Sequence, residues 1–168
     1  NREMTLLHTY PAPNTGANYV IPDGITSIGG AAFHSSTSLT SITIPDSVTS
    51  IGDQAFAECR SLTRIAIGDG LTSMGEYAFY RCSSLTRITF QGSAPDVGVD
   101  AFSNVAGGAI ATVTAANLSS FGSEGESWNG LILNAFVDPV VADLEAQLAE
   151  AIAERDAAIA ERDARPTA

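Results

Sequence analysis

Residues 45–67 read PDSVTSIGDQAFAECRSLTRIAI, and this stretch decides the fold because it recurs. Its Ile51-Gly52 returns as Ile28-Gly29, Met74-Gly75 and Val97-Gly98, and its Ala55-Phe56 as Ala32-Phe33, Ala78-Phe79 and Ala101-Phe102. Leu62, Ile65 and Ile67 return as Leu39, Ile42 and Ile44, and again as Leu85, Ile88 and Phe90. The step is 23 residues each time. A fixed period in the twenties marks a solenoid, in which each unit buries its apolar side only against its neighbours.

Within the unit, Ile65 and Ile67 alternate with Arg64 and Ala66, the period of a short strand with its apolar set turned inward. Pro45-Asp46-Ser47 is turn chemistry, because Pro sets φ and Asp bonds nearby backbone. Val48 and Ile51 then point back inside. Gly52 is expected where the backbone turns sharply. Ala55, Phe56 and Cys59 suit a short helical turn on the opposite side of the coil. Phe33, Phe56 and Phe79 are expected to stack as a spine of rings.

Working outward, 22–44 and 68–90 are close copies, and 91–113 is degenerate: Gly108 and Ala111 stand in Leu and Ile slots. A degenerate end unit is what capping requires. In 114–138 the period breaks, and Phe121, Trp128, Leu131, Ile132, Leu133 and Phe136 are expected to cover the end of the core. Residues 1–21 read as a partial unit or linking segment, with Leu6 and Leu7 followed by a Pro- and Gly-containing loop.

The pattern resembles the BspA-type, or treponemal, leucine-rich repeat, standing here as Leu39-x-x-Ile42-x-Ile44-Pro45-x-x-Val48-x-x-Ile51-Gly52-x-x-Ala55-Phe56-x-x-Cys59. The resemblance is strongest over 19–105. It implies a leucine-rich-repeat solenoid with a parallel sheet on one face, secreted or displayed at a bacterial cell surface. Members of the family are linked to adhesion and host contact. The family supplies no catalytic residues, so none carries over to this chain.

Composition narrows the partners. The net charge is -11 and every cation is Arg. An acidic body repels phosphate backbones and anionic lipid surfaces, so neither nucleic acid nor a membrane is an expected partner. No apolar run is long enough for membrane insertion, and no signal peptide is visible. A chain starting at Asn1 is expected to be a processed chain or a piece of a larger protein. Cys59 and Cys82 hold one slot in adjacent coils, about 5 Å apart by strand spacing. A disulfide fits that distance; two buried thiols filling a small core slot is the plainer reading.

After Pro139 the composition changes to Ala and Glu, the reading of an α-helix over 139–168. AIAERDA at 151–157 repeats at 158–164, a seven-residue step. Val141, Leu144, Leu148, Ile152 and Ile159 would form the seam of a coiled coil and so a homo-oligomer contact. A solvated stalk, or a helix lying on the solenoid, is the other reading.

The outward strand slots offer two columns: Ser41, Arg64 and Arg87, then Thr43, Ala66 and Thr89. They read either as a shallow binding face, with paired Arg for a carboxylate or sulfate, or as an ordinary solvated Thr-rich face. Asp23, Asp46 and Asp69 share a turn slot, where stabilising the turn is a fuller explanation than calcium, since no further acids complete a shell. His8 and His34 lack the partner pattern of a zinc site. No Ser sits in a nucleophile elbow. Gly29-Gly30 and Gly107-Gly108 lack the Lys of a phosphate loop, and Asn117-Leu118-Ser119 is a glycosylation sequon. No cofactor, no metal and no catalytic residue is expected.

The combined expectation is an α/β repeat: a right-handed leucine-rich-repeat solenoid with a short-strand parallel sheet on one face, plus a C-terminal α-helix. Its job would be contact with a protein or glycan, or alternatively spacing and display through the oligomerising helix. It is not expected to be an enzyme.

Overall fold

The computed structural model describes residues 6–7, 17–136 and 155. The expected helix over 139–168, with its seam residues Val141, Leu144, Leu148, Ile152 and Ile159, lies outside the described residues apart from Arg155.

Each coil but the last makes one strand in each of two sheets. The larger sheet contains β2 (Asn18–Val20), β4 (Ser41–Ile44), β6 (Arg64–Ile67), β8 (Arg87–Phe90), β10 (Ile110–Thr114) and β12 (Leu131–Phe136), all parallel, with β11 (Ser127–Trp128) antiparallel at one edge. The smaller contains β1 (Leu6–Leu7), β3 (Ser27–Ile28), β5 (Ser50–Ile51), β7 (Ser73–Met74) and β9 (Asp96–Val97), all parallel. The larger sheet is the expected parallel sheet on one face, and the smaller one is an addition to it. A two-residue strand leaves almost no alternation to read, and only its partner in the next coil makes it a strand.

The register is that of the repeat. Ile42, Ile65 and Ile88 pair in one column and Ile44, Ile67 and Phe90 in another, and all six are buried. Leu39, Leu62 and Leu85 and the Ala-Phe pairs complete one continuous core. The rings of Phe33, Phe56, Phe79 and Phe102 stack at 4.8, 5.0 and 5.4 Å with planes within 14° of parallel, so the expected spine forms and gains a fourth member.

The third side of the coil is not helical. Gln54, Phe56 and Glu58 donate their N–H groups to the carbonyls of Glu76, Ala78 and Tyr80 in the next coil, at 2.8–2.9 Å. The alternate residues Ala55, Ala57 and Cys59 close local three-back turns on Gly52, Gln54 and Phe56. Gln54 and Glu58 have φ of 56° and 60°, which a right-handed helix forbids. The same signs recur at Ala31 and Ser35, Tyr77 and Arg81, Asp100 and Asn104. Left-handed backbone costs an L residue roughly 1 kcal/mol or more. An inter-coil hydrogen bond for every second residue offsets that cost. The helical-turn reading failed because the spacing of Ala55, Phe56 and Cys59 reports which residues face inward, not where their N–H groups go. Residues 6–7 and 17–136 thus form an all-β solenoid whose one helix is the single turn α1 (Leu118–Phe121).

Gly52 serves close approach, not a sharp bend. Its φ is not positive, and a Cβ there would lie 2.6 Å from the Gly30 nitrogen of the preceding coil. Gly98 meets the Glu76 nitrogen at 2.5 Å in the same way. Coils can pack this tightly at that corner only where one backbone lacks a side chain.

Past the degenerate unit the chain makes another strand. Ile110 pairs with Ile132 and Val113 with Ala135, so β12 continues the sheet. Phe121, Leu131 and Leu133 are buried, and Trp128 packs on Phe90 and Phe121 at 5.4 and 4.9 Å. Ile132 and Phe136 occupy outward slots and are 44% and 53% exposed.

Candidate functional site

Parallel register turns slots into columns on the outward face of the larger sheet. Asn18, Ser41, Arg64, Arg87, Ile110 and Ile132 form one. Val20, Thr43, Ala66, Thr89, Thr112 and Asn134 form the next. Strands lie about 4.8 Å apart, so the Arg64 and Arg87 side chains leave the sheet side by side, and both are exposed. Both ion pairs found among the described residues converge on Glu58 and leave Arg64 and Arg87 out. Ser41 is engaged: its hydroxyl donates to Asn18 Oδ1 at 2.6 Å. Thr43 and Ala66 line a shallow hollow of about 290 Å³ with Pro45, Gly68 and Gln91. Thr89 lines another of about 450 Å³ beside Phe136. The candidate face therefore offers two adjacent cations, flanked by hydroxyls and shallow apolar hollows. It can bind an anion; it presents no nucleophile and base in mutual reach.

The face is held from its strand starts. The Thr63 hydroxyl donates to Thr40 O at 3.0 Å and the Thr86 hydroxyl to Thr63 O at 3.2 Å. The backbone N–H of each donates to the same carbonyl, at 2.8 and 3.1 Å. A second threonine ladder joins Thr49 to Thr26 and Thr72 to Thr49 beside the smaller sheet. Sequence reading passed over both; the signal was threonine returning every 23 residues.

The aspartate slot ties turns together. Asp46 Oδ1 accepts the Asp69 N–H at 3.1 Å, and in a separate slot Asp53 Oδ1 accepts that of Glu76 at 2.9 Å. Among the described residues, no group of three or more His, Cys, Asp or Glu is placed to hold a metal ion. His34 is exposed and its Nδ1 hydrogen-bonds the Ser35 hydroxyl. His8 lies outside the described residues. The sequon residue Asn117 already donates its amide to Gln91 O at 2.8 Å. Among the described residues no helix is long and apolar enough to cross a membrane.

Cys59 and Cys82 are free, buried thiols. Each Sγ–H points at a carbonyl one coil back, Phe33 O at 3.0 Å and Phe56 O at 3.1 Å. The Cys82 thiol is pushed well above its ordinary range, first by the neighbouring Cys59 sulfur and then by burial.

One further charged group sits where the turn ladder ends. Glu58 accepts from Arg60 at 3.0 Å and from Arg81 at 3.3 Å, and the Arg81 guanidinium lies 5.0 Å from the centre of the Tyr80 ring. Glu58 is held below the usual carboxylate range, first by the hydrogen bond from Arg60.

Comparison with known proteins agrees with this architecture. The family model described as "BspA type Leucine rich repeat region" matches residues 15–124 in six copies. Among solved structures, a leucine-rich repeat protein from Eubacterium ventriosum matches with a TM-score of 0.54 and 30% identity over 68% of this chain, which spans only 30% of that protein. One from Bacteroides capillosus matches at 30% identity and a TM-score of 0.48, over 55% of this chain and 72% of that one. The T. pallidum leucine-rich repeat protein matches at 28% and 0.46, over 59% and 58%. No curated protein matches the chain by sequence. With the family model covering most of the repeat array and the observed coils following its period, the chain belongs to the BspA-type leucine-rich-repeat family.

Proposed function

We propose that the chain is a non-catalytic contact module of a bacterial surface protein, holding a host protein or a glycan against the outward face of its larger sheet. The observation behind this reading is the register pairing of Arg64 with Arg87. Both are exposed and outside any ion pair among the described residues, in a chain of net charge -11. Two exposed guanidiniums side by side repel each other weakly, and a carboxylate or sulfate on the ligand is their natural partner. Rigidity supports the same reading: the starts of β6 and β8 are each bonded twice to the preceding coil, so little backbone ordering is lost on binding. The family resemblance supports adhesion and extracellular display as the setting for such a contact.

The test is a panel of immobilised matrix proteins and glycans probed with intact chain and with the Arg64→Ala/Arg87→Ala variant. Binding by the intact chain that falls at least about tenfold in the variant supports the face, since each charge-assisted bond is worth about 1.5–3 kcal/mol. Absent or unchanged binding removes it.

The repeated AIAERDA supports a second reading, a display stalk that oligomerises through Val141, Leu144, Leu148, Ile152 and Ile159. Concentration-dependent mass that disappears when 139–168 is removed supports this; a monomer at all concentrations ends it.

A further inference from the structure

We propose a second ligand site, away from the strand face: the hollow at the end of the turn ladder lined by Arg60, Arg81, Ser83 and Asn104 takes a sugar bearing one carboxylate or sulfate. The hollow measures about 340 Å³. Its lining is a quadrangle produced by the repeat. Arg60 and Ser83 stand in one slot of adjacent coils, and Arg81 and Asn104 in another. Glu58 shares the second slot one coil earlier, and Glu58, Arg81 and Asn104 all have φ between 58° and 60°, so their side chains splay from the ladder alike.

Glu58 acts as a splint. It takes one nitrogen of Arg60 at 3.0 Å and one of Arg81 at 3.3 Å, which fixes both guanidiniums beside the hollow, while Tyr80 supports Arg81 from below. Each guanidinium has five N–H donors, so most remain for a ligand. Two cations against one acid leave a positive balance at this corner. An oxyanion fits between the two forks, as carboxylates and sulfates fit paired arginines.

Two features select a sugar with a single charge. The Ser83 hydroxyl and the Asn104 amide each offer a donor and an acceptor, which matches neighbouring sugar hydroxyls. Asp53, Glu76 and Asp100 are exposed further along the same turn ladder. A long polyanion crossing that side meets them, and like charges repel.

The experiment is a ¹⁵N NMR titration of the full chain at low ionic strength. The probes are glucuronic acid, N-acetylglucosamine 6-sulfate, neutral N-acetylglucosamine, N-acetylaspartate amide and inorganic sulfate. The proposal expects saturable shifts at Ser83, Asn104 and the Arg60 and Arg81 side chains with the two charged sugars. Affinity should fall at least about tenfold in Arg60→Gln/Arg81→Gln, with amide dispersion unchanged. Ser83→Ala should weaken the charged sugars and leave inorganic sulfate as it was. Single Arg81→Gln serves if the double variant loses its fold. No shifts at these four residues, full affinity in the Gln variants, or equal affinity for N-acetylaspartate amide or bare sulfate would each overturn it. None of these readouts involves Arg64 or Arg87, so this site and the strand face stand or fall separately.

Discussion

The rings of Phe56 and Phe79, 23 residues apart in sequence, stack 5.0 Å apart with only 4° between their planes. Each is fully buried, and each also stacks on a second ring, so removing one breaks two contacts and opens a void between coils. Phe56→Ala should cost about 3–5 kcal/mol of stability. Urea unfolding checks this. Phe56→Leu should cost markedly less, and a loss under about 1 kcal/mol for the alanine variant would mean the spine carries little.

Gly52 and Gly107 should respond to alanine with opposite signs. A Cβ at 52 meets Gly30 backbone at 2.6 Å, whereas one at 107 meets nothing within 4 Å and has no positive φ to resist it. Gly52→Ala should destabilise by about 1–3 kcal/mol, as overpacking does. Gly107→Ala should be neutral or gain up to about 1 kcal/mol through the unfolded state. Thermal melts of the two variants decide it.

Thr63→Val keeps shape and removes only the hydroxyl that donates to Thr40 O. That carbonyl keeps its backbone donor, so the loss should be about 0.5–1.5 kcal/mol, the net worth of one hydrogen bond. A neutral result would assign the threonine ladder to β-propensity alone.

Cys82 predicts an alkaline weakness. Its folded pKa is raised above the unfolded value. The fold therefore favours the neutral thiol, and its contribution is full below the unfolded pKa of about 8.5. Above that pH the unfolded chain ionises first, and stability falls by at most about 1.4 kcal/mol per pH unit. Urea midpoints at pH 7 and pH 10 should separate more for the native chain than for Cys59→Ala/Cys82→Ala, which removes both buried thiols. Both thiols should also resist alkylation in the folded state, since each is buried.

Exposed Arg64 and Arg87 should be indifferent to folding: the Arg64→Ala/Arg87→Ala variant should keep its melting midpoint within the range of ordinary surface substitutions, about 0.5 kcal/mol. A large loss would make the pair structural and undo its reading as a contact surface.

The repeat of Ile65, Ile67 and Phe56 at 23-residue steps determined, with no coordinates, the solenoid, the register, the inward columns and the ring spine, because an apolar side chain must recur wherever each coil meets its neighbour. Those same inward spacings are compatible with a helical turn or with a ladder of β-turns. The choice at Gln54 and Glu58 was made by carbonyls of Glu76 and Tyr80 a coil away. Gly52 likewise took its meaning from Gly30, and Ser50–Ile51 became a strand only beside Ser27–Ile28. Arg64 and Arg87 were legible as a column; their freedom from acids, and the capture of Arg60 and Arg81 by Glu58, depended on where side chains reach in space. Sequence period reports which side of the chain is apolar, whereas hydrogen-bond partners and close backbone approach belong to contacts between coils, and those exist only once the coils have stacked.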